Sequence, residues 1–369
     1  MKIAQVAPLY ESVPPKAYGG TERVVSYLTE ELVRRGQEVT LFASGDSVTA
    51  ANLIPGCERS LRLSKTIDPL APHFLMLEQV FKRARDFDII HFHIDYLHFP
   101  LSRRSGSPQV TTLHGRLDLP VLPPLYREFG DMPVVSISDA QRTPLPSAHW
   151  VGTINHGLPE NLFTFRAEPE DYLVFLGRIS PEKRVDRAIE IAQRAGRRLK
   201  IAAKVDQVDR RYFNKVIKPL LDHPLIEYLG EVGQREKNEL LGGAAGLLFP
   251  IDWPEPFGLV MIEALACGTP VLAFRCGSVP EVISDGVTGF IVQDIEQAVP
   301  LIEKLVRLDR RRCREEFESR FTARRMGDDY MTLYGKLIAE RERSIARIAT
   351  PEFVVAPFAA NTPAAPPAA

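Results

Sequence analysis

Short apolar runs alternate with amphipathic helical stretches along most of the chain, and the alternation starts again after its middle. KIAQVAP, EVTLFAS, DIIHFHI, QVTTLHG and PVVSISD read as strands. TERVVSYLTEELVRRG puts Val24, Val25, Leu28, Leu32 and Val33 on one helical face and stops at Gly36. PHFLMLEQVFKRARDF is a second helix of this kind. Such βαβ alternation predicts a mainly parallel sheet with helices on both faces. Residues 156–171, HGLPENLFTFRAEPED, are polar and read as a linker. YLVFLGRI then opens a second series. VDRAIEIAQRAG (helix), RLKIAAKV (strand), YFNKVIKPLLDH (helix), LIEYLGEV (strand), REKNELLGGA (helix), GLLFPID (strand), a further helix and PVLAFRC (strand) follow in order.

A chain of 369 residues is too long for one ordinary core and comfortable for two. We therefore expect an α/β protein with two Rossmann-like domains, residues 1–165 and 166–325. In such folds ligands bind beyond the carboxyl ends of the strands, which places a site in the cleft where the domains face each other. Helical stretches are expected at 294–308, 309–325 and 327–347. The last is expected to pack back toward the first domain, and residues 348–369, rich in Ala and Pro, to form a flexible tail.

Net charge is −1, from 46 basic and 47 acidic residues, which argues against bulk nucleic-acid binding. Cys57, Cys267, Cys276 and Cys313 contain no C-x-x-C pair and read neither as a zinc site nor as a disulfide framework. A reduced, cytoplasmic location is expected. MKIAQVAPLY fits a buried strand better than a signal peptide, and no apolar run reaches the ~18 residues of a membrane helix.

Three stretches carry chemistry. After the first strand the G-x-G-x-x-G fingerprint is missing; instead Gly19-Gly20 stands immediately before a helix. Amides at a helix start attract anions and glycine lets a phosphate come close, though a cap and turn explains the same pair. In FLGRISPEKR, Arg178 and Lys183 follow a buried strand on its carboxyl side, placed to hold a diphosphate or to form a solvated basic loop. In WPEPFGLVMIEALACGTPV, Glu255 precedes a helix and Glu263 lies inside it. Amides of Phe257, Gly258 and Leu259 at that helix start would face the same crevice. At about 1.5 Å per residue, Glu263 sits roughly 8 Å from the helix start, about as far as a ribose from its diphosphate. One carboxylate is suited to ribose hydroxyls and the other to a transferred sugar.

PEPFGLVMIEALACGTPVLA resembles the E-x7-E signature of the retaining GT-B glycosyltransferases of family 4. GGTERVV, DIIHFH, TTLHG, SISDAQR, FLGRISPEKR and VPEVISDGVTGFIV extend the resemblance over most of the chain. It implies the GT-B architecture and a hexosyltransferase that takes a nucleoside-diphosphate sugar as co-substrate, without metal or other cofactor. By that resemblance Arg178 and Lys183 hold the diphosphate, Glu255 contacts the donor sugar, Glu263 the ribose, and His114 lies near the reacting centre. Gly19 and Gly20 lie across the cleft, near phosphates and acceptor. Asp285 and Gly289 belong to a structural turn. Two positions depart from the family pattern: His156-Gly157 where Asn-Gly is usual, and Gly277-Ser278 where Gly-Gly is common. The acceptor is not legible.

Other features are read as structural. Asp86 and Asp88 resemble a D-x-D metal motif but end a helix and start a strand. His91 and His93 share a strand face with no further ligand pattern, and are expected to be packed or cleft-lining. The helix around 74–85, with Phe74 and Leu75 beside Lys82, Arg83 and Arg85, is expected to pack on its sheet rather than lie on a membrane. RLDRRRCR, 307–314, is expected to be a solvated helix face. Two further functions fit the residues: a non-catalytic nucleotide-sugar-binding protein, and a glycoside hydrolase using Glu255 and Glu263.

Overall fold

The computed structural model describes residues 1–16, 19–64 and 66–349, the last six by backbone alone. The first sheet holds seven strands: β1 (Lys2–Val6), β2 (Glu38–Ser44), β3 (Asn52–Cys57), β4 (Ile89–Phe92), β5 (Gln109–Thr112), β6 (Val134–Ser136) and β7 (Trp150–Thr153). Their order is β3-β2-β1-β4-β5-β6-β7. The second holds six: β8 (Leu173–Arg178), β9 (Leu199–Lys204), β10 (Ile226–Gly230), β11 (Gly246–Phe249), β12 (Val271–Phe274) and β13 (Gly289–Val292), in the order β10-β9-β8-β11-β12-β13. Every pairing is parallel. The central strands IIHF, GLLF and VLAF are buried along their whole length, as strands covered by helices on both faces must be. These are two Rossmann-like α/β domains.

Strand order reverses between β1 and β4 in one sheet and between β8 and β11 in the other. Loops diverge at such points and leave a crevice. The chain crosses between the domains at 154–158 and again at 321–323. The two crossings lie side by side: Leu158 N–H donates to the Phe321 carbonyl (2.9 Å) and Ala323 N–H to the Leu158 carbonyl (2.7 Å). A Cβ at Gly157 would stand 2.2 Å from the Thr322 carbonyl oxygen, so only glycine fits between them. The terminal helix Ala323–Ala349 then returns to the first domain, burying Met326, Tyr330, Leu333 and Tyr334 with Ile3, Val24 and Leu28.

Two expectations need correction, one holds in part and one falls mostly outside the described residues. YFNKVIKPLLDH is not one helix: a single α-turn at Arg210–Tyr212 passes into a π-turn at Phe213–Ile217 and a 3-10 turn at Lys218–Leu221, because Pro219 has no N–H to continue the ladder. The helix Leu70–Lys82 packs on its sheet as expected, through Met76, Leu77 and Val80, but Phe74 (53% exposed) and Leu75 (65%) face away from it. The 307–314 cluster is a solvated face only in part: Arg307, Arg311 and Arg312 are exposed, but two arginines turn inward. Arg310 is buried and donates to the carbonyls of Arg166, Gly242 and Ala244, and Arg314 to those of Glu160, Phe163 and Ala266. The tail expected at 348–369 lies outside the described residues from 350 onward; 348 and 349 continue the helix.

Candidate active site

A cleft of about 510 Å³ lies between the domains, within the range of nucleotide-sized sites. Gly19, Gly20, His114, Arg178, Lys183, Glu255, Phe257, Gly258, Leu259 and Glu263 all line it. They come from the carboxyl ends of β1, β5, β8 and β11 and the segments that follow, with Glu263 one turn into the helix after β11.

Apart from Glu263, the helix Leu259–Cys267 is apolar on every side, and it is buried from Met261 onward. Its start is fixed by two glycines. Gly258 has φ +78°, and a Cβ there would lie 2.9 Å from the Met261 methyl. Gly277 has φ +53°, and its Cβ would lie 2.3 Å from the Glu255 carbonyl. Ser278 takes up the remaining loop groups: its N–H donates to the Glu255 carbonyl (3.0 Å) and its Oγ to that of Phe257 (2.8 Å). The Gly-Ser departure therefore supports the turn that carries Glu255.

Neither glutamate is unpaired. Glu255 bonds Lys183 Nζ and accepts from Trp253 Nε1 at 3.0 Å. The same ammonium stands 5.1 Å from the Trp253 ring centroid, a cation–π distance. Glu263, 5% exposed, accepts from Lys237 Nζ at 2.5 Å. Burial of a carboxylate is costly without such a partner. Arg178 ends β8 and bonds Glu182 at 2.6 Å, with Asp206 and Asp209 at 3.7 and 3.8 Å. The cationic loop is thus held in place by carboxylates on its own domain.

On the opposite wall, Gly19 caps the helix Gly20–Arg34. A Cβ on Gly20 would lie 3.8 Å from the Leu259 side chain, so two helix starts face each other across the cleft. Their dipoles put positive potential at one place. The loop carrying His114 is clamped by Gln141, whose amide donates to the carbonyls of Leu113 (2.9 Å) and Gly115 (2.8 Å). His114 stacks on His156 (5.2 Å between centroids), and His156 meets the Phe257 ring edge-on at 5.0 Å.

Behind His114 runs a buried polar chain. Its Nε2 meets His93 Nδ1 at 2.9 Å; His93 Nε2 reaches Gln5 Oε1 (2.7 Å); Gln5 Nε2 donates to Tyr334 Oη (3.1 Å). Tyr334 in turn meets His91 Nδ1 (2.7 Å). Gln5 Oε1 accepts, so His93 is protonated on Nε2 and accepts on Nδ1. His114 then donates from Nε2, leaving its Nδ1 as an acceptor. Burial pushes the His114 imidazole down to about 3 and holds His91, His93 and His156 well below the usual histidine range. All four are neutral at pH 7, so His114 presents a hydrogen-bonding nitrogen and no charge.

Lys237 and Gln5 were not singled out in the sequence, and His156 was named only as a departure from the family pattern. Lys237 sits in an ordinary polar helix segment, and only the pairing with Glu263 marks it. His156 had a signal, its departure from Asn-Gly. Gln5, a polar residue inside an apolar strand, was a signal too. Asp88 accepts the Lys2 N–H at 2.7 Å, a strand-end contact. Among the described residues no three His, Cys, Asp or Glu side chains gather as a metal site, the four cysteines are free thiols, and no helix is long and apolar enough to cross a membrane.

Residues 161–320 match the model of the glycosyl transferases group 1, and residues 18–142 that of glycosyltransferase family 4. The two tile both walls of the cleft. The chain belongs to the family 4 glycosyltransferases, with the GT-B fold. An uncharacterized glycosyltransferase of Methanocaldococcus jannaschii is 26% identical to it, over 79% of this chain and 85% of that one. A D-inositol 3-phosphate glycosyltransferase of Streptomyces avermitilis is 28% identical over 61% of this chain and 59% of its own. Among solved structures, AviGT4, a glycosyltransferase involved in avilamycin A biosynthesis, shares the fold at a TM-score of 0.69 and 24% identity, covering 92% of this chain and 98% of its own. HepE of Anabaena in complex with UDP-glucose does so at 0.67 and 19%, covering 93% and 100%.

Proposed function

We propose that this family 4 glycosyltransferase moves a hexosyl group from a nucleoside-diphosphate sugar to an acceptor hydroxyl, with retention of configuration and without a metal ion. The observation that carries this is the order of groups along one cleft wall: Lys183 with Glu255, then the helix start at Gly258, then Glu263 with Lys237. That order matches sugar, diphosphate and ribose. HepE was solved with UDP-glucose, which supports a donor of this class.

The diphosphate lies against the start of the Leu259–Cys267 helix, with Lys183 and Arg178 beside it. These groups stabilise the negative charge that grows on the leaving phosphate. Glu255 accepts hydrogen bonds from hydroxyls of the sugar and Glu263 from those of the ribose. His114, neutral, offers its Nδ1 to a sugar hydroxyl. The acceptor attacks from the face the phosphate leaves, and the departing phosphate oxygen takes its proton; no protein nucleophile is assigned. In the hydrolase alternative both carboxyls face one glycosidic bond. Here each is engaged by a lysine, at opposite ends of the helix start.

A panel of nucleotide sugars, incubated with and without candidate acceptor alcohols, tests this. Release of nucleoside diphosphate, with an α-linked donor giving an α-linked product by NMR, is expected. An inverted anomer contradicts retention. Donor binding without release or transfer under any acceptor favours the non-catalytic binding protein.

A further inference from the structure

Gln234 is the first residue of the helix Gln234–Gly243 and lines the cleft. Both its Nε2 and its Oε1 are buried, and neither has a hydrogen-bond partner among the described residues. A buried amide unsatisfied at both atoms is costly and uncommon. Lys237, three residues on and so on the same helix face, holds Glu263, the group that faces the ribose in the reading above. A nucleobase is bonded directly to that ribose. The turn carrying Gln234 is held by Glu236, whose carboxylate accepts the Gly233 N–H at 2.8 Å, the half of a capping box that a glycine N-cap allows. Val232, after β10, is half-buried and offers apolar surface to a flat ring in the same cleft, which the buried Ala202 and Ala203, at the end of β9, also line.

We propose that Gln234 reads the nucleobase of the donor: its amide pairs with a base edge that presents a hydrogen-bond donor beside an acceptor. This rests on the nucleotide-sugar reading and adds to it the residue that sets base preference. A primary amide makes two such bonds in one plane, and loss of a bidentate pair of this kind lowers affinity about 10- to 100-fold. Apolar replacement leaves the base edge unpaired in a desolvated place, where discrimination is greatest.

The test titrates UDP, GDP, CDP, ADP and inorganic pyrophosphate into the full chain by calorimetry, for wild type, Gln234→Leu and Gln234→Glu. Pyrophosphate serves as the base-free probe. In wild type one nucleotide is expected to bind at least about 10-fold more tightly than pyrophosphate. Gln234→Leu is expected to lose about 10- to 100-fold for that nucleotide, to flatten the ranking among the four, and to leave pyrophosphate unchanged. Gln234→Glu keeps the shape and an acceptor but loses the donor, and is expected to fall for the same nucleotide; it guards against a folding defect in the leucine variant, as do matched melting curves. Nucleotide binding with an unaltered ranking in both variants overturns the inference alone. If wild type binds no nucleotide more tightly than pyrophosphate, the proposed function falls and this inference falls with it.

Discussion

Glu263 and Lys237 form a well-shielded ion pair, with 6% and 13% of their side chains exposed. Removing one partner leaves the other buried and unpaired, which costs about 3 kcal/mol or more. Lys237→Met and Glu263→Leu are each expected to lower the unfolding free energy by that amount in urea titrations, as an earlier midpoint at unchanged slope. The double variant carries no stranded charge and is expected to regain most of the loss, while nucleotide affinity stays reduced because the ribose has lost its acceptor. Equal additive losses in the double variant would contradict the pairing. The histidines give a pH signature. Burial lowers the folded value of His114 to about 3, below the ordinary 6.5. The unfolded chain therefore binds a proton that the folded chain refuses. The contribution is complete above about pH 6.5 and is lost as pH falls from there toward 3, at up to about 1.4 kcal/mol per pH unit for each such histidine. His114→Gln is expected to make the slope of unfolding free energy against pH shallower in that window. An unchanged slope would show that His114 titrates freely.

At the scale of elements, the turn into the Leu259–Cys267 helix positions Glu255, and Gly258 sets it. Gly258→Ala places a Cβ at φ +78° and 2.9 Å from the Met261 methyl. It is expected to cost about 1–2 kcal/mol in thermal unfolding and to weaken nucleotide binding further than that loss explains, by displacing the helix start. Melting and affinity unchanged would mean that the turn does not shape the site. Much of this was legible beforehand. Strands such as KIAQVAP and GLLFPID are apolar on both faces and bounded by turns, and every cleft residue named from the sequence reaches the cleft. Less legible were the edge strands β3, whose NLIPGC carries Pro55 and Gly56, and β7, WVGT, which is half-buried throughout. Neither shows alternation or a continuous apolar run. The partner of Glu263 was hidden for another reason: Lys237 is distant in sequence, on a helix whose other side faces solvent. Arg310 misled because a buried arginine that donates to carbonyls has the same local sequence as an exposed one.

At the scale of the molecule, the two domains touch through a few apolar contacts, such as His156 on Phe257, and through polar groups that a moving interface can make and break. Glu281 of the second domain accepts the N–H groups of Asp139 and Ala140 in the first, both at 2.7 Å, and Ser138 Oγ donates to the Pro256 carbonyl at 2.6 Å. The paired crossings at Gly157 and Thr322 give this contact a narrow hinge, and the terminal helix ties the second crossing into the first domain's core. Closure on a donor would exclude water from the facing helix starts and strengthen their field on the diphosphate. The central claim is that the cations and helix start on one wall of this cleft stabilise a leaving nucleoside diphosphate. It is tested most directly by the rate of donor-dependent diphosphate release in wild type, Arg178→Ala and Lys183→Ala, with the best donor of the panel. Each variant is expected to fold as wild type does and to lose about 100-fold or more in kcat/KM; release at the wild-type rate by either variant would contradict the account.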